Sequence, residues 1–221
     1  MDNPTTETPQ HLVITIGRQF GSGGRELGRK IADLLGIAYY DKELLSRAAS
    51  GAGLSQEFVE SNDERFPRFL SSTFSFSMGF SNMSWYQHPT SISGDSIYET
   101  QADVIRRLAA TGPCVIVGRS ADYVLRDNPL TINLFVHAPA ECCIDRIIAR
   151  GDIDSREKAD KLRQRTNRLR AGYYNFYTDK RWGDASSYDL CFDTSLLSTD
   201  NIARIVAHYV KLRFPQLQIS L

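Results

Sequence analysis

Residues 13–28 read Val13-Ile14-Thr15-Ile16-Gly17-Arg18-Gln19-Phe20-Gly21-Ser22-Gly23-Gly24-Arg25-Glu26-Leu27-Gly28, and this stretch decides the fold. The β-branched apolar run from Leu12 to Ile16 predicts a buried strand. Glycines at 17, 21, 23 and 24 follow, and then Leu27, Ile31, Leu34 and Leu35 recur at helical spacing and predict one apolar helix face. A strand, a glycine loop and a helix in that order aim backbone N–H groups and a helix N-terminus at one point. That arrangement suits phosphate oxygens.

The stretch matches the phosphate-loop pattern G-x-x-x-x-G-K-[ST] in part. With Ser22-Gly23 aligned, Arg18 stands at the opening glycine, Gly24 at the lysine and Arg25 at the Mg²⁺-binding hydroxyl. The backbone cradle of Gly21, Ser22, Gly23, Gly24 and Arg25 remains. Arg18 or Arg25 supplies the missing positive charge, as a planar fork in place of a point charge. A glycine-rich strand–helix turn that holds no ligand is the alternative.

Outward from this loop, the totals bound the rest. The chain has 221 residues, 42% hydrophobic and 24% charged, with a formal net charge of zero. One globular domain is expected, with residues 1–10 as a polar tail. A neutral total gives no global field for nucleic acid or an anionic membrane, so neither is expected as a partner and anion binding must be local. No apolar run approaches the roughly 20 residues of a membrane span. Cys114, Cys142, Cys143 and Cys191 lack metal-ligand spacing and read as buried, reduced thiols, in keeping with a cytoplasmic location.

Downstream, Ile37–Tyr40 predicts a second strand with Asp41 at its carboxyl edge, beside the loop. A carboxylate there can hold Mg²⁺, accept a proton, or cap the helix expected over 42–49. A short polar helix is expected over 55–64. Residues 66–94 mix serine with large apolar residues without a clean period, which reads either as a functional closing segment or as a surface flap packed by its own aromatics. Ser96-Ile97-Tyr98-Glu99 has capping-box spacing and predicts a helix whose buried face carries Ile97, Val104, Ile105 and Leu108.

Cys114–Val117 predicts a third strand, with Gly118-Arg119 beyond it; Arg119 can fork onto a phosphate or pair with Asp122. Leu130–Val136 is the fourth strand, with His137 read as a strand-end residue and not a catalyst. From 146 to 181 there are eight Arg and three Lys against four Asp and one Glu, a local excess of six positive charges. Arg165 and Arg168 share a helix face there and can either neutralise a phosphate or form a solvated basic face. Residues 188–193 make a fifth strand, and the last helix is expected to bury Ile202, Ile205, Val206 and Tyr209. Strands separated by helices predict a five-stranded parallel sheet in an α/β fold.

ITIGRQFGSGGRELG, YYDKELLSRAA, VIVGRSADYVL and DLCFDTSLLS, in this order, make the chain resemble the cytidylate kinase-like family of P-loop nucleoside monophosphate kinases. The resemblance covers about Leu12 to Arg213. It implies a three-layer P-loop NTPase-type fold, an NMP-binding insertion over 51–95 and a helical, arginine-bearing lid over 151–183. It implies ATP and Mg²⁺ as cofactors, nucleotide substrates as partners, and a possible oligomer. ATP phosphates fall to Arg18, Gly21, Ser22, Gly23, Gly24 and Arg25. The acceptor falls to Asp41, Arg47 and Arg119, and catalysis to Arg25, Asp41, Arg165 and Arg168, with Asp41 an indirect metal partner. CMP or dCMP is the first acceptor to expect; a nucleotide- or phosphate-binding protein without catalysis is the alternative.

Overall fold

The structure, a computed structural model, describes residues 10–41, 94–151 and 153–217, with the side chains of 94–97 excepted. Arg47, the helices expected over 42–49 and 55–64, the segment 66–93 and all but the last two residues of the 51–95 insertion lie outside the described residues, and so does the 1–9 tail.

The elements run β1 (Val13–Arg18), α1 (Gly24–Leu35), β2 (Ala38–Tyr40), α2 (Gly94–Thr111), β3 (Cys114–Val117), α3 (Ala121–Val124), β4 (Thr131–His137), α4 (Ala140–Ala149), α5 (Arg156–Tyr177), a 3₁₀ turn (Ala185–Ser187), β5 (Leu190–Asp193) and α6 (Thr199–Arg213). The sheet order is β2-β3-β1-β4-β5, and every pair is parallel. β1 is the central strand: Ile14 stands opposite Val115 on one side and Ile132 on the other.

Both faces of the sheet are covered, so its strands read as continuous apolar runs and not as alternating ones. The period-2 pleat still sorts them. Leu12, Ile14, Ile16, Val115, Val117, Ile132, Leu134 and Val136 pack with Leu27 and Ile31 of α1 and with Ile202, Val206 and Val210 of α6. Val13, Cys114 and Ile116 face the other way, against Ala102, Val104, Ile105 and Ala109 of α2 and Val124 beyond Ala121 of α3. Fully burying one such Ile or Leu contributes about 1.5–3 kcal/mol.

The expected helix faces need two corrections. Leu34 of α1 and Ile205 of α6 are exposed. On α6 the buried stripe is Ile202, Ala203, Val206, Ala207 and Val210, because small alanines let that helix sit close to α1. Cys191 is exposed on the edge strand β5, whereas Cys114 and Cys143 are buried; all four thiols are free. No described helix is long and apolar enough to cross a membrane.

Five parallel strands bring their carboxyl ends to one rim of the sheet. Arg18 ends β1, Asp41 follows β2, Gly118 follows β3, His137 ends β4 and Thr194 follows β5. Ligands of open α/β sheets bind beyond this rim.

Candidate active site

The glycine loop is a tight turn held by its neighbours. Gln19 N–H donates to Val136 O at 3.0 Å, and the Ser22 hydroxyl donates to Gln19 O at 2.9 Å. Gly21 and Gly23 both take φ 81°, which glycine adopts at no steric cost. A Cβ at Gly21 would lie 2.7 Å from the carbonyl oxygen of Cys143, so α4 presses directly on the loop. Gly23 caps α1 without any side-chain hydrogen bond. By contrast, Ser155 caps α5 and Ser198 caps α6, each accepting an N–H with its hydroxyl. The amides that open α1 have no side-chain cap, and an anion at the positive end of the helix dipole would satisfy them.

Around that opening the fold gathers arginines. Arg18 runs from the loop to the end of β3: its stem packs on Gly24, and a Cβ at Gly118 would overlap its guanidinium. Burial, and then the charges of Arg119 and Arg25, lower its pKa to about 10. Arg170 of α5 donates to the carbonyl oxygen of Arg18 at 2.9 Å. Burial, and then Arg18, Arg150 and Arg25, hold its pKa well below the usual arginine range. These guanidinium groups repel one another and have lost part of their hydration, and a bound oxyanion relieves both costs.

Two neighbours complete this side. Phe20 N–H donates to Asn167 Oδ1 at 2.7 Å, and the Phe20 ring lies under the guanidinium groups of Arg150 at 5.2 Å and Arg170 at 5.6 Å. Arg25 Nε meets Asp41 Oδ2 at 3.2 Å, and Asp41 is only 3% exposed. The Tyr39 hydroxyl lies within reach of the same Asp41 oxygen at 3.4 Å and of Arg25 O at 3.3 Å. Burial, followed by the Asp41 charge, raises the Tyr39 pKa to about 12, so the hydroxyl keeps its proton and acts as a donor.

Beyond β3 the chain makes a left-handed turn. Gly118, Arg119 and Ser120 have φ 86°, 61° and 51°. The last two are strained for residues carrying a Cβ. The turn delivers Arg119 to the rim, where its Nη1 donates to Gln101 Oε1 of α2 at 3.1 Å. Asp122 is not the partner of Arg119: it is buried, and its Oδ2 takes the Tyr174 hydroxyl at 2.6 Å. His137, for which the sequence shows no partner, lies 3.9 Å from Asp193.

The sequence-expected residues Arg18, Arg25, Asp41, Arg119 and the loop 21–25 thus come together at one rim. Arg165 and Arg168 are exposed on α5, and Arg170 of the same helix reaches the loop. The readable signal was the stripe Ala159, Arg163, Asn167, Arg170, Tyr174, spaced 4, 4, 3 and 4 apart and ending on a buried aromatic. Polar residues on it hid the stripe from a search for apolar periodicity. Arg146 and Thr194 were also missed. Thr194 donates its hydroxyl to Ser22 O at 2.7 Å, and Arg146 holds Thr194 from behind.

Among the described residues no cluster of three His, Cys, Asp or Glu is placed to hold a metal. Asp41 is the carboxylate that the rim sets beside the glycine loop, paired with Arg25. Such a donor set fits a Mg²⁺ ion carried by substrate phosphates and reached from one carboxylate through water, but not an ion caged by protein.

A parallel five-stranded sheet, a glycine loop opening the first helix and arginines converging on it define a P-loop kinase type of protein. The match extends to sequence. The model of the cytidylate kinase-like family covers residues 13–196, and the chain belongs to that family. It is 28% identical over 199 residues to the cytidylate kinase of Pyrococcus horikoshii, covering 88% of this chain and 86% of that one. It is also similar to the crystal structure of an uncharacterized protein from Eubacterium ventriosum, at 26% identity and TM-score 0.67, over 91% of this chain and 99% of that chain. A gluconokinase from Sinorhizobium meliloti shares the fold at 16% identity and TM-score 0.50, over 95% and 98% of the two chains.

Proposed function

We propose that the protein transfers the γ-phosphoryl group of ATP to a nucleoside monophosphate, with CMP or dCMP the first acceptor to test. The observation that carries this reading is the convergence of an uncapped α1 N-terminus with Arg18, Arg25, Arg119 and Arg170 on one rim that also holds the buried carboxylate of Asp41, paired with Arg25. Phosphoryl transfer asks a protein mainly for positioning and for charge stabilisation, which this arrangement supplies.

In this reading the amides of residues 21–25 hold the β- and γ-phosphates. Arg119, held beyond β3 by its hydrogen bond to Gln101, takes the acceptor phosphate. Arg47, outside the described residues, would join it. Arg18, which runs from the loop to the β3 end, would neutralise charge on the ATP phosphates, so a guanidinium takes over from the absent loop lysine. An acceptor phosphate oxygen attacks the γ-phosphorus in line, and the bond from that phosphorus to the bridging oxygen of ADP breaks. Arg25 and Arg170 stabilise the equatorial oxygens as charge builds. Arg165 and Arg168 remain exposed on the same helix as a second arginine pair for a closed, loaded state. Asp41 would hold Mg²⁺ through water, and the ion would supply neutralisation of phosphate charge. Asp41 also fixes Arg25 through the ion pair at 3.2 Å.

A panel of nucleoside monophosphates with ATP, read out as ADP formed, tests the assignment. Turnover with at least one acceptor is expected, and Arg25→Ala is expected to cut it by about 10²-fold with the thermal unfolding midpoint kept, as for removal of one charge-stabilising donor. Uptake of ATP without ADP formation for any acceptor favours a nucleotide-binding protein without catalysis, the reading that the absence of the loop lysine and hydroxyl supports.

A further inference from the structure

The loop lysine is missing, yet one cation stands behind the loop, away from the convergence just described. Arg146, on α4, grips Thr194 with two hydrogen bonds: Nη1 to the Thr194 hydroxyl oxygen at 2.8 Å and Nη2 to the Thr194 carbonyl oxygen at 2.8 Å. Thr194 follows β5 and is 5% exposed. Its hydroxyl has one proton. With Arg146 donating to the oxygen, that proton must go outward, and the Ser22 carbonyl oxygen at 2.7 Å is nearer than the His137 carbonyl oxygen at 3.4 Å. Ser22 itself is fully buried.

The direction of this chain matters. The Ser22 carbonyl and the Gly23 N–H belong to one peptide unit, and the Gly23 amide sits at the N-terminus of α1. A carbonyl that accepts a hydrogen bond draws electron density from its own N–H, which then becomes a stronger donor. A hydroxyl already polarised by a guanidinium strengthens the effect. The Arg146 Nη1 lies 3.9 Å from where a Gly23 Cβ would be, so its charge also acts at short range through the glycine turn.

We infer that Arg146 and Thr194 are positioning residues that charge the glycine loop from behind: Arg146 polarises the Thr194 hydroxyl, which polarises the Ser22–Gly23 peptide, and the Gly23 N–H passes the gain to a bound phosphate oxygen. The relay rests on the reading of the loop as the ATP-phosphate site. It explains how a loop without lysine still presents positive potential, and why a threonine and an arginine from two other elements are spent on one carbonyl oxygen.

The test has a ligand-free arm and a ligand arm. In ¹H–¹⁵N spectra of the full chain without nucleotide, Arg146→Met and Thr194→Val each shift the Gly23 amide proton upfield, and Thr194→Ser, which keeps the hydroxyl, returns it to the wild-type position. In calorimetry, Arg146→Met and Thr194→Val each weaken ATP by about fivefold to tenfold, the net scale of one ordinary hydrogen bond. CMP affinity stays at the wild-type value, and the double variant is no weaker than the worse single one. A clamp that only held the loop in shape would leave the Gly23 resonance of Arg146→Met unmoved, and that result overturns the relay. Equal loss of ATP and CMP affinity overturns it too. If the wild type takes up neither nucleotide, the proposed function fails, and the relay is then decided by the Gly23 resonance alone. If Thr194→Val does not fold, Arg146→Met decides it.

Discussion

The glycine loop and the turn after β3 both bend the chain through left-handed backbone, and they do it with opposite residues. The loop uses Gly21 and Gly23, both at φ 81°, without strain. The turn uses Gly118 and then Arg119 and Ser120, two residues with a Cβ, at φ 61° and 51°. What each region presents explains the choice. The loop offers backbone N–H groups to a ligand, so side chains are in the way; Cys143 would meet any Cβ at Gly21. The turn has to present a guanidinium at the same rim, and no glycine can carry one. Strain of about 1–2 kcal/mol per left-handed residue is the cost of that placement.

Substitutions break the comparison from either side. The largest effect is expected for Gly21→Ala. The left-handed φ and the collision with the Cys143 backbone together cost about 2–4 kcal/mol, read as a lowered thermal midpoint, and ATP uptake is lost in calorimetry. Next comes Arg119→Gly, the same kind of exchange reversed. It relieves the backbone, so stability rises by up to about 1 kcal/mol, while acceptor affinity falls by about 10²-fold with the loss of a charge-assisted fork. A variant that gains stability and loses the acceptor is the signature of a strained functional turn. A variant that loses both would mean that Arg119 holds the fold.

Ser120→Gly sharpens the contrast without touching the guanidinium. Its Oγ is buried and has no hydrogen-bond partner among the described residues. Removing it together with the left-handed strain raises stability by about 1–2 kcal/mol in denaturant unfolding. The smallest effect is one of pH. Burial raises the pKa of Asp122, and the Tyr174 hydrogen bond offsets this only in part. The folded protein therefore holds that proton more tightly than the unfolded chain. The stabilisation is complete below the ordinary carboxyl value of 3.8 and is lost as pH rises through the raised folded value. Asp122→Asn removes this downward slope: thermal midpoints of variant and wild type converge in acid and separate at neutral pH, with the variant the more stable.

Different parts of the molecule were legible to different degrees. The strand, loop and helix from 13 to 28 are readable because glycine spacing and apolar periodicity are local signals. The third and fourth strands follow for the same reason, and so does the helix that Ser155 caps. Arg18 and Arg119 were readable as rim residues because the carboxyl end of a parallel strand is a topological address. Arg170 was not. Its docking on Arg18 O belongs to a helix face written in polar residues, and Arg165 and Arg168 look as good in one dimension. The exposed Leu34 and Ile205 mislead for the matching reason: an apolar residue at the margin of a helical stripe is buried only if a neighbour covers it.

From the sequence alone follow the α/β class, the parallel sheet, the glycine loop and its likeness to a kinase family, since each rests on contacts between residues close in the chain or on residue types. Which cations serve the loop was decided in three dimensions. Arg170 comes from α5 and Thr194, held by Arg146 of α4, follows β5; Arg170 and Thr194 meet Arg18 and Ser22 only because the strand order β2-β3-β1-β4-β5 sets β4 and β5 on that side of β1. Hydrogen bonds that span more than a hundred residues have no periodicity to announce them, and only the packed sheet brings their partners within 3 Å.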